Sequence, residues 1–149
     1  MAFEPTEQQQ RLLAFAAESH KGVLVTIKQN GRAQLSNIIY TFDPDQRRAR
    51  ISVTADRAKT RNALRDPRVT LHVSSPDFWS WAALDGHASL TDVATDPDDD
   101  AVAELIDLYR AINGEHPDWD EYRAAMVRDR RQVLTVDVEN AYGQAPGVG

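Results

Sequence analysis

Short runs in the first half of the chain either are rich in β-branched residues or alternate apolar and polar positions with a period of two, and both patterns are typical of β-strands. Three such runs cover residues 22–27, 32–42 and 48–54. The turn sequences Asn30-Gly31 and Asp43-Pro44-Asp45 separate them, and both are typical of tight reversals. The pattern therefore predicts an antiparallel meander of three strands.

Further strands are predicted at residues 68–74, 78–84 and 132–138. Asp85-Gly86 interrupts the apolar run after residue 84, and the run resumes at residues 87–93, which predicts a bulge or sharp bend. Sheets that curve in this way often close into barrels.

A period near 3.6 predicts helices at residues 5–19 and 59–64 and a helical excursion between residues 96 and 128. We expect Asp96 to cap the third helix, Pro97 to begin it, and Pro117 to begin the fourth. The predicted fold is mainly β, of α+β character, in which flanking helices surround a six-stranded antiparallel barrel. We expect residues 1–149 to form one domain, with a flexible tail from Gln144 to Gly149.

Composition narrows the function classes. The chain has 149 residues, no cysteine, a formal net charge of -6 and a pI near 5.1. Disulfides and thiolate metal sites are therefore excluded, and nucleic acid is not an expected partner. The start is polar, and no apolar run approaches the roughly 20 residues that span a bilayer. We expect a cytoplasmic, soluble protein that is not bound to a membrane.

Positive charge is concentrated in a basic cluster at residues 57–62, where a predicted strand leads into a helix. Arg57, Lys59 and Arg61 supply cations, and Thr60 supplies a hydroxyl group. Free backbone N–H groups and the helix dipole favour anions at a helix start, so the cluster is a candidate phosphate site. The alternative is a solvated turn whose cations offset nearby aspartates.

Two other groups are candidate ligand contacts. Gln34, Ser36 and Asn37 put polar groups into an apolar strand, where they would either read the edge of a heterocycle or face solvent. Trp79 and Trp81 are predicted on one side of a strand, where aromatic pairs pack on a neighbour or subunit interface, or stack on a ring ligand. The four histidines are scattered, and no catalytic triad or metal site is visible. If the protein is an enzyme, a cofactor carries the chemistry.

The order of these segments resembles the pyridoxamine 5'-phosphate oxidase-like split β-barrel superfamily. Within it, the chain is most similar to the actinobacterial branch that uses the deazaflavin coenzyme F420. The resemblance rests on residues 22–26, on 31–37 and 57–62, on Asp66-Pro67-Arg68, on residues 109–119 and on Ala141-Tyr142-Gly143. It implies a homodimer with a cofactor site at the interface, where Trp79, Trp81 and Tyr142 would lie.

The resemblance also implies which residues bind the cofactor. The basic cluster and a serine on the preceding strand would hold the phosphate, the polar residues of the second strand would lie along the ring edge, and a tryptophan would come from the partner subunit. These residues are Gln34, Ser36, Asn37, Ser52, Arg57, Lys59, Thr60, Arg61, Asn62 and Trp79.

The function that the resemblance implies is an F420-dependent oxidoreductase of the flavoprotein type. It would transfer a hydride from reduced deazaflavin to an unsaturated or heterocyclic small molecule, with a proton from water, Tyr40 or Tyr142. Arg61 and Arg65 favour a cofactor with an anionic tail. Two alternatives remain open: an FMN-binding flavoenzyme of the same fold, and a non-catalytic cofactor-binding protein. The chain ends without the tryptophan- and arginine-containing signature of true pyridoxamine-phosphate oxidases, which argues against that activity.

Overall fold

The computed structural model describes residues 3–146 and contains a closed barrel of six antiparallel strands. The strands are β1 (Lys21–Ile27), β2 (Ala33–Asp43), β3 (Arg48–Thr54), β4 (Arg68–Ser74), β5 (Trp81–Leu90) and β6 (Arg131–Gln144). Their order around the barrel is β1-β2-β3-β6-β5-β4, and β4 pairs with β1 to close it. The predicted fold class is confirmed.

The hairpin between β1 and β2 forms where Asn30-Gly31 predicts it. Gly31 has a φ of +86°, a conformation that glycine adopts without strain. The amide of Lys28 donates to the carbonyl of Arg32 at 2.8 Å and closes the turn. This turn sets the register that pairs Val23 with Asn37. As a result, Asn37 lies on the outer surface of the barrel.

The interior of the barrel is apolar and densely filled. The largest fully buried side chains include Leu24, Ile51, Leu71, Leu84 and Leu134, one from each of five strands. Tyr40 joins them, and its hydroxyl group donates to the carbonyl of Ala16 at 2.6 Å. That bond ties helix α1 (Glu7–Ala17) to the barrel.

Three further helices lie outside the barrel: α2 (Ala58–Arg65), α3 (Asp100–Asn113) and α4 (Trp119–Arg128). The pair α3 and α4 builds a second apolar cluster that contains Leu105, Met126 and Val133 of β6. Helix α3 also contacts β2 and β3, so the helix pair covers part of the outer barrel surface. No helix within residues 3–146 is long and apolar enough to cross a membrane. The cytoplasmic location stays a prediction.

The predicted starts of α3 and α4 were wrong by a few residues. Asp99, not Asp96, caps α3, because its carboxylate accepts from the amides of Thr95, Asp96 and Val102. These bonds, led by the one from Thr95, lower the pKa of Asp99. Asp118 caps α4, so Pro117 precedes that helix instead of beginning it.

The predicted fifth strand started too early. β5 begins at Trp81, whereas Phe78 lies in a turn with a φ of +71°. Trp79 therefore belongs to the turn, and the prediction that it shares a strand face with Trp81 was wrong. The predicted bulge is confirmed: the register shifts between Asp85 and Gly86. β6 is longer than predicted and includes Gln144; residues 147–149 of the predicted tail lie outside the described residues.

Candidate active site

A cavity of about 630 Å³ lies between the outer barrel surface and the helix pair α3 and α4. Its barrel side combines the apolar residues Ile38, Ile39 and Ile51 with four polar residues, which we call the polar wall: Asn37, Ser52, Lys59 and Arg131. Its helix side consists mainly of Leu108, Tyr109, Ile112, Tyr122 and Met126. One polar wall and one apolar wall are typical of sites that bind a ring compound bearing a charged group.

Lys59 lies in the first turn of α2 and lines this cavity. Burial lowers the pKa of Lys59, and the positive charges of Arg57 and Arg131 lower it further. Within residues 3–146, no carboxylate lies at ion-pair distance from Lys59. A bound anion would stabilise the charged ammonium group, so the site is suited to a phosphate or carboxylate.

Arg131 is the first residue of β6 and pairs in register with Thr54 at the end of β3. Its Nη1 atom lies 3.5 Å from both the carbonyl oxygen and the hydroxyl oxygen of Ser52, which are long contacts. Its Nε atom is buried and has no hydrogen-bond partner in the described part of the chain. An arginine with an unused buried donor at a cavity fits an anionic ligand.

The structure brings three of the predicted residues together in the cavity: Asn37, Ser52 and Lys59. Arg57 lines a neighbouring cavity instead. Arg61 is exposed on α2, and Trp79 is 81% exposed. The sequence therefore predicted part of the polar wall, and the other predicted residues do not line this cavity.

Strand alternation separates the three polar residues of β2. Asn37 points outward, whereas Gln34 and Ser36 lie on the opposite face, which Ile38 and Tyr40 share. Gln34 and Ser36 do not line the cavity. A ligand in this cavity can contact Asn37, but the other two residues lie across the sheet from it.

Thr60 and Asn62 anchor α2 to the barrel. The hydroxyl group of Thr60 donates to the carbonyl of Thr54 at 2.7 Å. The side-chain amide of Asn62 donates to the hydroxyl oxygen of Thr26 at 3.2 Å, and its oxygen accepts from Arg65 at 2.8 Å. Both residues are buried. Their bonds fix the position of the helix that carries Lys59.

The helix side of the cavity is backed by an aromatic cluster of Tyr109, His116, Trp119 and Tyr122. Tyr109 lies 5.1 Å from His116 and 5.1 Å from Tyr122 between ring centroids. The hydroxyl group of Tyr122 donates to the carbonyl of Leu105 at 3.0 Å, and burial raises the pKa of Tyr122 to about 12. These contacts hold the wall rigid, with two tyrosines at the cavity.

Sequence reasoning missed Arg131 and the cavity role of the two tyrosines. Tyr109 lay in residues 109–119, to which the resemblance assigned no role, Tyr122 lay in the predicted helical excursion, and Arg131 carried no motif. Tyr40, named with water and Tyr142 as a source of the proton, is buried inside the barrel, and its hydroxyl group donates to the carbonyl of Ala16. Burial raises its pKa far above the usual value, which makes it a poor acid.

Comparison with known proteins agrees with this architecture. The family model described as pyridoxamine 5'-phosphate oxidase matches residues 8–145. The chain belongs to this family. The resemblance drawn from the sequence is thereby confirmed.

Individual relatives of this family add detail. The chain is 30% identical over 133 residues to an F420H(2)-dependent biliverdin reductase of Mycobacterium tuberculosis, covering 89% of this chain and 85% of that protein. A solved F420 reductase shares the fold with a TM-score of 0.63 and 21% identity, covering 93% of this chain and 98% of that one. A heme storage protein of Vibrio cholerae also shares the fold, with a TM-score of 0.64 and 15% identity, covering 97% of this chain and 96% of that one.

Proposed function

We propose that this protein is an F420-dependent reductase that acts on an unsaturated or heterocyclic small molecule. The observation that carries the proposal concerns two cations of the polar wall: within residues 3–146, Lys59 has no carboxylate partner and Arg131 has a buried Nε donor without a hydrogen-bond partner. The similarity to an F420H(2)-dependent reductase supplies the cofactor class.

The donor set fits the phosphate of such a cofactor. Lys59, Arg131 and the hydroxyl group of Ser52 would hold it, and Asn37 would face the polar edge of the ring. Thr60 and Asn62 would act indirectly, because their side chains bind α2, the helix that carries Lys59, to the barrel. Arg131 joins the residues that the resemblance implied, because it lines the same cavity as Lys59 and Ser52.

Bound reduced F420 supplies a hydride. The protein therefore needs to hold the substrate beside the cofactor and exclude water, and it needs no nucleophile. The helix pair serves that purpose, because Leu108, Ile112 and Met126 present an apolar wall to the cavity. Because the apolar wall excludes water, it also lowers the local dielectric constant and so strengthens the electrostatic contacts of Lys59 and Arg131 with a ligand.

An FMN-dependent flavoenzyme is the second candidate. The observation that favours it is the family itself, which is named for an oxidase of pyridoxamine 5'-phosphate. FMN also joins a tricyclic ring to a phosphate, so the polar wall described above suits both cofactors. The choice between them therefore depends on measured affinity.

The functional unit that we propose is a homodimer with a site at the interface. Large apolar side chains are exposed outside the barrel: Leu35, Ile39, Phe78, Trp79 and Tyr142. A second cavity of about 450 Å³ on this surface shares Asn37 and Ile39 with the candidate site. The exposed surface is thus continuous with the site, and a second copy seated there would complete its open side.

The proposal is tested by titrating cofactor-free protein with F420 and, separately, with FMN, while cofactor fluorescence is followed. Tight binding of F420 with weak binding of FMN is the expected result. Tight binding of FMN with weak binding of F420 would favour the FMN-dependent flavoenzyme. If neither cofactor binds, both candidate functions are contradicted. Loaded protein is then assayed with F420H2 and biliverdin, the substrate named for the relative, before other conjugated compounds are tried.

A further inference from the structure

His20 lies just before β1 and lines the cavity of the candidate site. Its Nδ1 atom lies 2.9 Å from the carbonyl oxygen of Tyr40, and the amide of Tyr40 donates to the carbonyl of His20 at 2.8 Å. The residue is half-buried. The backbone of one residue of β2 thus holds both the main chain and the imidazole ring of His20 in place.

The contact with Tyr40 decides which ring nitrogen of His20 carries a proton. A carbonyl oxygen can only accept a hydrogen bond, so Nδ1 is the donor. In the charged ring, Nε2 carries the proton that can leave without breaking the bond to Tyr40. Nε2 forms no hydrogen bond with any of residues 3–146. It is therefore available to a ligand in the cavity.

Most of the other proton-bearing groups of the cavity are less suited to giving up a proton. The hydroxyl group of Tyr122 already donates to a backbone carbonyl, and burial raises the pKa of Tyr122 to about 12. Lys59 and Arg131 belong to the polar wall, where their charges would hold the phosphate. Lys21 is exposed to solvent. Tyr109, whose ring packs in the aromatic cluster, is the remaining rival.

His20 lies at a different part of the cavity from the residues that would hold the phosphate. The register pairs Tyr40 of β2 with Ile51 of β3, and His20 lies beside Tyr40 on the other side. Two interstrand spacings of roughly 4.8 Å therefore separate His20 from β3, about 10 Å in all. β3 carries Ser52, and Asn37 lies on β2 between them. A ligand held at Ser52 thus has room for a ring between the polar wall and His20.

We propose that His20 is the proton donor of the reaction in this cavity. Reduction of a conjugated double bond adds a hydride to one atom and a proton to the other, and reduced F420 supplies the hydride. Nε2 of the charged ring gives the proton, the electron pair of its N–H bond stays on the ring, and the ring regains a proton from water. The substrate gains two electrons and two hydrogens in all, and the second proton released on oxidation of the cofactor passes to water.

Histidine suits this step because it exchanges protons near neutral pH. The inference rests on the proposed function, because it needs a hydride donor in the cavity. It adds a requirement that the cofactor does not impose, namely that Nδ1 of His20 stays bonded to the carbonyl of Tyr40 while Nε2 faces the substrate.

The first test needs no cofactor. Protein with isotope-labelled histidine rings is studied by nitrogen NMR at a pH at which the rings are neutral, and the four histidines are assigned by replacing each in turn. We expect the proton of His20 on Nδ1, as the bond to Tyr40 requires. A proton on Nε2 instead would contradict that bond and overturn the proposal.

The second test separates proton donation from the bond to Tyr40. Asparagine at position 20 can donate from its side-chain amide to the same carbonyl, but it cannot protonate a substrate. We expect His20→Asn to bind F420 within about twofold of the wild type, with kcat lowered roughly a hundredfold and KM nearly unchanged. The control is His87→Asn, because His87 lies 3.7 Å from Glu139 and outside the cavity, and it should match the wild type.

The assay follows the oxidation of F420H2, with biliverdin as the first acceptor. If His20→Asn keeps the kcat of the wild type, His20 only supports the backbone at Tyr40, and the proposal is wrong. A loss of kcat in Tyr109→Phe and none in His20→Asn would move the role to Tyr109. A wild type that neither binds F420 nor reduces an acceptor would overturn the proposed function and the role of His20 with it, whereas an active wild type beside an equally active His20→Asn overturns the role of His20 alone.

Discussion

Replacing Arg131 by methionine should stabilise the ligand-free protein while it weakens binding of the anionic ligand. Methionine keeps an unbranched apolar stem of similar length and removes the guanidinium group. Among residues 3–146 the buried Nε has no hydrogen-bond partner, and the contacts of the guanidinium group with Ser52 are long, at 3.5 Å. The substitution therefore removes an unsatisfied donor and loses few good bonds.

The magnitude follows from these contacts. A buried donor without a partner costs about 1–3 kcal/mol, and the two long contacts with Ser52 offset part of that. Removing the charge also relieves its repulsion with Lys59, whose pKa Arg131 helps to lower. We expect the free energy of unfolding to rise by about 1 kcal/mol and Tm by about 3 °C. Loss of a charge-assisted bond should weaken ligand binding roughly ten- to hundredfold.

The assay pairs calorimetric or urea unfolding of the ligand-free protein with the fluorescence titration. Arg123→Met is the matched control, because Arg123 pairs with the exposed Asp120, 3.7 Å away, and lies outside the polar wall. Its stability and its ligand affinity should both stay close to wild type. A loss of stability greater than about 1 kcal/mol in Arg131→Met would refute the reasoning. So would unchanged ligand affinity, because Arg131 would then serve the fold and not the ligand.

Four further outcomes are expected. Lys59→Ala should bind the phosphate-bearing cofactor at least about tenfold more weakly and fold normally. In the wild type, a bound anion should raise the lowered pKa of Lys59, so binding should take up a proton and weaken as pH rises through that lowered pKa. Calorimetry in buffers of different ionisation enthalpy, repeated over a pH series, measures the uptake, and zero uptake throughout the series contradicts the prediction. Tyr40→Phe should lower the free energy of unfolding by about 1–2 kcal/mol in urea, because the carbonyl of Ala16 loses its partner. Ile39→Asp should yield monomers in sedimentation velocity, whereas a monomeric wild type would refute the dimer.

Local patterns predicted the strands well. The hairpin at Asn30-Gly31 and the bulge at Asp85-Gly86 depend on residues that are close in the chain, so sequence shows them directly. The starts of α3 and α4 were harder, because several aspartates compete to cap each helix. At α3, Asp99 prevails over Asp96 because its carboxylate reaches three amides at once.

The candidate site was only partly visible in the sequence. Lys59 was found because cations cluster at a helix start, and Ser52 through the resemblance. Gln34, Ser36 and Asn37 were grouped because they are neighbours in sequence, but the period of a strand places Asn37 on the other face. Thr60 looked like a ligand for phosphate, yet its hydroxyl group donates to the backbone at Thr54.

By itself, the sequence determined the strand pattern, the single barrel and the basic start of α2, because hydrophobic period and turn chemistry act over a few residues. Only the tertiary structure decided which side chains meet. Arg131 reaches Ser52 across 79 positions of the chain because β3 and β6 pair in the closed barrel. The cavity exists because α3 and α4 fold back over the outer face of that barrel. Contacts of this length depend on strand order and helix packing, which no local pattern encodes.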